Sequence, residues 1–392
     1  MLNFDEIFTE EEKETNIYHM FGFNENPFPE DATNYAKEVF HNQEEAIDIL
    51  KRALTNFATD RHRQIVLIEG SYRTGKTHLL KYFFENLKEK APHSILIWYA
   101  KDYGNNFMDF YKILLVDAIS ETQINNFINR FKKDNVSGEK VNPYLKQALN
   151  SVLLEKEEKR EEKLWLFYKW LQGFNLTKTE QRELRIESNL SFSGLAVKVL
   201  HDFLILAKKY ADFKGLILFL DEFEKLFTKS YSATQRSNYL YAFRNFIDEF
   251  NDIGLFIAAA ILDKTLGDLK RDYEALYHRL TGKSAKIRLL ATAEEAIAFA
   301  RVFLDYFHKK FLMTLQNIPR EKLKKVSYPI TELQYQRYKY RDKVQKILLT
   351  QDRIENIFLH LEKKPEAQRG VRQGFFIKGL REEAEKRVSE LP

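Results

Sequence analysis

Apolar runs bounded by turn or polar residues recur along the chain at Gln64 to Gly70, Ser94 to Ala100, Gly215 to Glu222, Leu255 to Ile261 and Ala285 to Leu290. Between them the apolar positions fall at helical spacing. Runs this short and this continuous predict strands buried on both faces, and strands alternating with helices predict a parallel sheet of five. From about Glu121 to Asn189 the pattern changes: the stretch is polar, rich in Lys and Glu, and carries Leu164, Leu166, Trp170 and Leu171 at helical rather than strand spacing. That reads as a helical insertion. Its run Glu155 to Lys163 mixes charge signs at i to i+4 spacing, as a solvated helix face does. After the fifth strand, Ala293 to Phe311 is strongly amphipathic and Gln351 to Leu391 carries further helical segments, so a C-terminal helical lid is expected. The organisation is then a lead-in over 1–40, an α/β core over 41–290 with the insertion at about 121–189, and a lid over 291–392. No repeat of 20–50 residues is apparent.

Between the first strand and the helix after it lies Gly70-Ser71-Tyr72-Arg73-Thr74-Gly75-Lys76-Thr77, followed by His78. It fits the phosphate-binding loop G-x-x-x-x-G-K-[ST] at every fixed position, in the strand-to-helix context that the motif requires. The glycines let the backbone turn sharply, so that successive N–H groups and a helix N-terminus face a polyphosphate. Lys76 is expected to reach the β and γ phosphates of ATP, and Thr77 to hold Mg2+ through its hydroxyl. Residues 70–78 together form the expected nucleotide contact.

A second feature completes this chemistry. Leu216-Ile-Leu-Phe-Leu-Asp221-Glu222 is an apolar strand that delivers two carboxylates at its C-terminal end, where ligands of open α/β sheets bind. Asp221 is expected to support the Mg2+ shell, and Glu222 to orient or deprotonate the water attacking the γ phosphate.

Composition narrows the classes. Zero cysteines remove disulfides, thiolate nucleophiles and Cys-based zinc sites together. No apolar stretch approaches the roughly 20 residues that span a bilayer, and residues 1–20 have no cationic-then-apolar leader, so a cytoplasmic location without membrane contact is expected. The nine histidines show no HExxH or paired metal spacing, leaving Mg2+ as the one metal implied. Formal charge is only +5, but residues 309–346 hold eleven Lys or Arg against three acids, a local net of +8.

The two motifs together resemble those of an AAA+ P-loop ATPase. Within that group the chain is similar to the initiator-like branch, which holds origin-recognition proteins, transposition ATPases and the ATP-binding proteins of BREX phage-exclusion systems, with greatest similarity to the last. The resemblance rests on Asn26-Pro27-Phe28, the loop GSYRTGKTHLLKYF, Trp170-Leu171-Gln172-Gly173 with Leu184 and Ile186, and the stretch Phe213 to Leu226, and it spans about residues 20–385. It implies ATP hydrolysis, self-assembly into a homo-oligomer, and a protein partner from a defence or DNA-processing system. It places Arg279, with Arg271 in reserve, as the arginine offered to a neighbouring subunit's ATP, and Arg372, beside Arg369, as a lid arginine near the γ phosphate. The family pattern asks for a polar residue ending the fourth strand. Ile257-Ala-Ala-Ala-Ile261 is wholly apolar there, leaving Asp263 or Thr265 to supply the group from the next turn.

Tyr335-Gln-Arg337-Tyr338-Lys339-Tyr340-Arg341 interleaves cations with aromatic rings. That composition suits nucleic acid, through phosphate attraction and base stacking. It equally suits a basic helix packed on the lid or docked on an acidic protein. No winged helix follows the lid before Pro392, so sequence-specific DNA reading by such a module is not expected. Two other function classes fit parts of the pattern. Leu190 to Leu195 loosely matches an ABC signature, as in an SMC-like dimeric ATPase, and the apolar fourth strand suits a nucleotide-regulated interaction module with little turnover.

Overall fold

Five of the apolar runs hydrogen-bond side by side as β1 (Gln64–Glu69), β2 (Ile95–Ala100), β3 (Gly215–Leu220), β4 (Leu255–Ile261) and β5 (Ser284–Lys286). The sheet order is β2-β3-β4-β1-β5, and every pair is parallel. A computed structural model describes residues 18, 21–41, 43–60, 62–227, 232–316, 348–367 and 370–390. The central strands β3 and β4 are buried at every position, as strands covered by helices on both faces must be. β2, at one edge, alternates buried with half-buried residues. At the other edge β5 is shorter than the apolar run suggested, covering Ser284–Lys286 instead of 285–290. Its ladder continues only as far as the Ile287 N–H on the Glu69 carbonyl at 2.9 Å. Leu290 instead makes an antiparallel bridge with Val371. An apolar run alone does not reveal where a strand stops pairing.

The chain divides into two compact units, residues 44–72 with 79–287, and residues 1–43 with 73–78 and 288–392. In the first unit, α1 (Glu44–Asp60) precedes β1; α2 (Lys76–Lys90) follows β1 in the chain and belongs to this unit from residue 79 onward. Between β2 and β3 the chain is helical throughout: α3 (Phe107–Ala118), α4 (Glu121–Arg130), α5 (Lys133–Gly138), α6 (Pro143–Leu153), α7 (Glu157–Leu171), α8 (Lys178–Glu183) and α9 (Ser193–Tyr210). Side chains close several of these helices. Ser120 and Thr177 each form a capping box at the start of α4 and α8, which satisfies N–H groups that a helix start leaves without partners. Trp170 is fully buried and donates from Nε1 to the Ser188 carbonyl at 3.2 Å, while Tyr111 donates its hydroxyl to the Leu171 carbonyl at 2.8 Å. After β3 come α10 (Ala233–Glu249), then β4, then α11 (Asp263–Asp272) and α12 (Glu274–Leu280).

The second unit is built on α13 (Ala293–Gln316), α14 (Gln351–Glu362) and α15 (Gln373–Ser389). Its core joins Phe299, Phe303, Phe307, Phe358 and Phe376 to the N-terminal Phe21, Phe23 and Phe28. Asn26 explains how Asn26-Pro27-Phe28 is held. Its side-chain oxygen accepts from the Phe28 N–H at 3.0 Å, and its amide donates to the Arg381 carbonyl on α15 at 3.3 Å. Among the described residues no helix is long and apolar enough to cross a membrane. The basic-aromatic segment with Arg337, Lys339 and Arg341 lies outside the described residues, as does Arg369.

Candidate functional site

In a parallel sheet all C-terminal strand ends share one edge, and here β4 separates β1 from β3. Gly70, which follows β1, and Asp221, which follows β3, therefore leave the sheet on the same side, about 10 Å apart across two strand spacings. Open α/β sheets place their ligands at this C-terminal edge of the strands.

Asp221 is only 1% exposed. A carboxylate this buried needs donors, and they come from β2, from the residue after it and from the next backbone N–H. Tyr99 donates its hydroxyl to Asp221 Oδ2 at 2.7 Å, Lys101 Nζ lies 3.7 Å from the same oxygen, and Oδ1 accepts the Glu222 N–H at 3.0 Å. The backbone is fixed as well. Asp221 donates its N–H to the Ala100 carbonyl at 2.8 Å and accepts at its own carbonyl from the Tyr103 hydroxyl at 2.6 Å. Tyr239 of α10 in turn donates to the Tyr103 carbonyl at 2.8 Å. Burial, and then the neighbouring Asp221 charge, push the Tyr103 hydroxyl well above its ordinary pKa, so it stays a donor.

Glu222 differs from its neighbour in both respects. Its side chain is 42% exposed and its backbone sits at φ +54°, a conformation that a non-glycine residue rarely adopts. Glu222 Oε2 pairs with Lys225 Nζ at 2.5 Å, and Lys225 also donates to the Lys101 carbonyl at 3.2 Å. The hydrogen bond to Glu222 raises the Lys225 pKa.

The phosphate-loop residues show a second constellation, within the unit that holds α15. Gly75 has φ +100°, open to glycine alone at low cost. Thr74 and Lys76 are buried, and Arg73 takes φ +62°. The Arg73 carbonyl accepts the Gly374 N–H at 3.0 Å. The Arg73 and Arg372 guanidiniums lie 5.4 and 5.6 Å from the centroid of one ring, Phe375. His78 Nε2 meets the Val39 carbonyl, with its ring 5.5 Å from Phe40. Arg372 itself is the N-cap of α15. It lines a cavity of about 270 Å3 with Lys364, Lys378 and Glu382.

The remaining expected residues lie elsewhere. Arg279 on α12 donates from Nε to Asp248 Oδ1 at 2.6 Å and from Nη1 to the Ala275 carbonyl at 2.6 Å. Arg271 is taken up by Asp268 and Asp272 on its own helix. Thr265 is buried in the first turn of α11, and Asp263 opens that helix exposed. Ser193 and Gly194, from the loose ABC-like match, begin α9. Tyr99, Lys101, Tyr103, Tyr239 and Lys225 were not anticipated as site residues. Only Lys225, three residues after Glu222, left a local signal.

Magnesium takes hard oxygen donors and usually few from the protein. A strand-end carboxylate such as that of Asp221 and a hydroxyl such as that of Thr77 are oxygen donors of that kind. Among the described residues no group of three or more His, Asp or Glu could hold a metal ion alone.

Sheet order, phosphate-loop motif and paired acids after β3 define an AAA+ protein of the P-loop class. The profile of the family described as BREX system ATP-binding protein BrxC/D matches residues 118–384. The chain belongs to that family, whose description makes it an ATP-binding component of a phage-exclusion system. Among solved structures it is similar to the ORC2 protein of Aeropyrum pernix, described in ADPNP and ADP complexes, at 11% identity and a TM-score of 0.41, over 92% of this chain and 72% of that one. No curated protein sequence matches the chain.

Proposed function

We propose that this protein binds and hydrolyses ATP, and that it works as a nucleotide-switched, self-assembling component of a phage-defence or other DNA-transaction system. One observation carries the reading: the strand order delivers Asp221 and Glu222 to the same sheet edge as Gly70, with Asp221 held by the Tyr99 hydroxyl of β2. Backbone N–H groups from Gly70 to Thr77 cradle the phosphates, and Lys76 neutralises their charge. Asp221 and Thr77 would hold Mg2+, which when bound would neutralise the charge that builds on the phosphate oxygens. Glu222 accepts a proton from the attacking water. Because Glu222 is exposed while Asp221 is buried, the two acids divide the work: one meets solvent, the other a cation. Arg372, stacked on Phe375 beside Arg73, reports the phosphate state to α15. Arg279 serves the ATP of a second copy in a homo-oligomer, and Arg337, Lys339 and Arg341 are candidate contacts to nucleic acid.

Calorimetry with ATP and Mg2+, on the whole chain and on Lys76→Ala, tests binding, and single-turnover phosphate release tests hydrolysis. Uptake lost in Lys76→Ala together with release that depends on Glu222 supports the reading; folded protein that takes up no ATP sinks it. The Glu222–Lys225 pair favours a second reading, a module that binds ATP and changes partners with little turnover. Binding without phosphate release that depends on Glu222 selects it.

A further inference from the structure

Arg63 immediately precedes β1, and its Nη1 donates to the Ile247 carbonyl at 3.1 Å and lies 3.5 Å from Asp248 Oδ1. Since Arg279 bonds that same oxygen, its guanidinium sits at the N-terminal edge of the sheet. Asp221 is at the C-terminal edge, about one strand length or 20 Å away. Arg279 is thus held away from Asp221 and Glu222 of its own chain. Two of its three nitrogens are occupied within the chain, although binding a phosphate in the forked, bidentate manner of arginine needs adjacent nitrogens together.

We propose that Asp248 is a latch residue that stores Arg279 in the unassembled chain and yields it to the phosphate of a second copy, with Arg63 remaining to neutralise the carboxylate. This rests on the reading of Arg279 as an arginine acting between copies. Both partners of the pair are partly exposed, at 30% and 38%, and ion pairs in such settings are weak. A charged phosphate can outcompete the latch. Arg63 prevents Asp248 from being left alone when Arg279 departs, and its bond to the Ile247 carbonyl anchors it at the spot. Asp248 also lines a groove of about 330 Å3 with Ser193, Gly194, Lys198 and Asn245, so the latch is open to an arriving surface.

The experiment is light scattering and ATP turnover as a function of protein concentration, with a nonhydrolysable ATP analogue for the assembly arm. Removing the latch in Asp248→Asn lowers the concentration for half-maximal assembly about three- to fivefold, and Arg279→Ala in the same chain cancels the gain. Asp248→Ser is the second variant should the first melt early. Assembly unchanged or weakened in a folded Asp248 variant overturns the latch. If Arg279→Ala alone leaves assembly and turnover at wild-type levels, the reading of Arg279 fails instead, and the latch with it.

Discussion

Tyr99 reaches across the β2–β3 pair to donate its hydroxyl to Asp221 Oδ2 at 2.7 Å. Parallel register sets Tyr99 opposite Phe219, two residues before Asp221. The contact therefore follows from strand pairing, and it holds the carboxylate by Oδ2 while the Glu222 N–H holds Oδ1. Removing the hydroxyl in Tyr99→Phe leaves the ring packing in place and takes one charged hydrogen bond from Asp221. Such bonds contribute about 1.5–3 kcal/mol, so the Mg2+ concentration for half-maximal ATP turnover should rise about tenfold. ATP uptake measured without metal should stay as it is. Unchanged Mg2+ dependence would show that Tyr99 does not position Asp221.

The Glu222–Lys225 pair separates a large effect from a small one. Glu222→Gln removes a base and should cut phosphate release by about a hundredfold or more while ATP still binds. Lys225→Met only frees the carboxylate from an exposed ion pair, which holds about 0.2–1 kcal/mol. Turnover should then rise by no more than about fivefold. A collapse in Lys225→Met comparable to that in Glu222→Gln would mean that the lysine takes part in the chemistry.

What was legible in the sequence follows from the range of each interaction. β3 and β4 read plainly because strands buried on both faces must be apolar at every position, and the phosphate loop read plainly because its spacing is local. Ser284–Lys286 was harder: three residues at an edge leave too short a pattern to bound. The Tyr99 donor to Asp221 lies 122 residues away and is supplied by strand order, which residue spacing does not disclose. Arg279 likewise could be found as an arginine before the fifth strand, but its partner Asp248 is 31 residues upstream on another helix.

Gly374 tests the junction between the phosphate loop and α15. A Cβ placed there would lie 3.0 Å from Arg73 Cβ and 3.2 Å from the Arg73 carbonyl oxygen, the acceptor of Gly374's own N–H. Contacts that close displace one backbone from the other. Gly374→Ala should therefore weaken ATP binding about tenfold, equivalent to about 1.4 kcal/mol, with the Arg73 turn shifted. Calorimetry against wild type measures it. Equal affinity in the variant would mean that α15 does not brace the loop.

The buried pair His201 and Asp202, with charged neighbours at the surface, gives a pH-dependent prediction away from the site. His201 on α9 bonds Asp202 Oδ1 through Nδ1 at 3.0 Å and Asp252 Oδ1 through Nε2 at 2.9 Å, with Glu249 and Lys198 beside it. Burial works against the imidazolium, but the hydrogen bonds to Asp202 and Asp252 outweigh it and raise the His201 pKa. For a raised histidine the stabilisation is fully present below the unfolded value of about 6.5 and is lost as pH climbs through the folded value. Asp202 runs the other way: burial opposes its charge, yet bonds from His201, the Asn142 N–H and Lys198 lower its pKa, so its contribution fades only in acid. His201→Gln should therefore cost about 1–2 kcal/mol near pH 6, narrowing steadily toward pH 8.5. Denaturant unfolding of both proteins at the two pH values measures it, and a gap that widened with pH would contradict the charged pairing of His201.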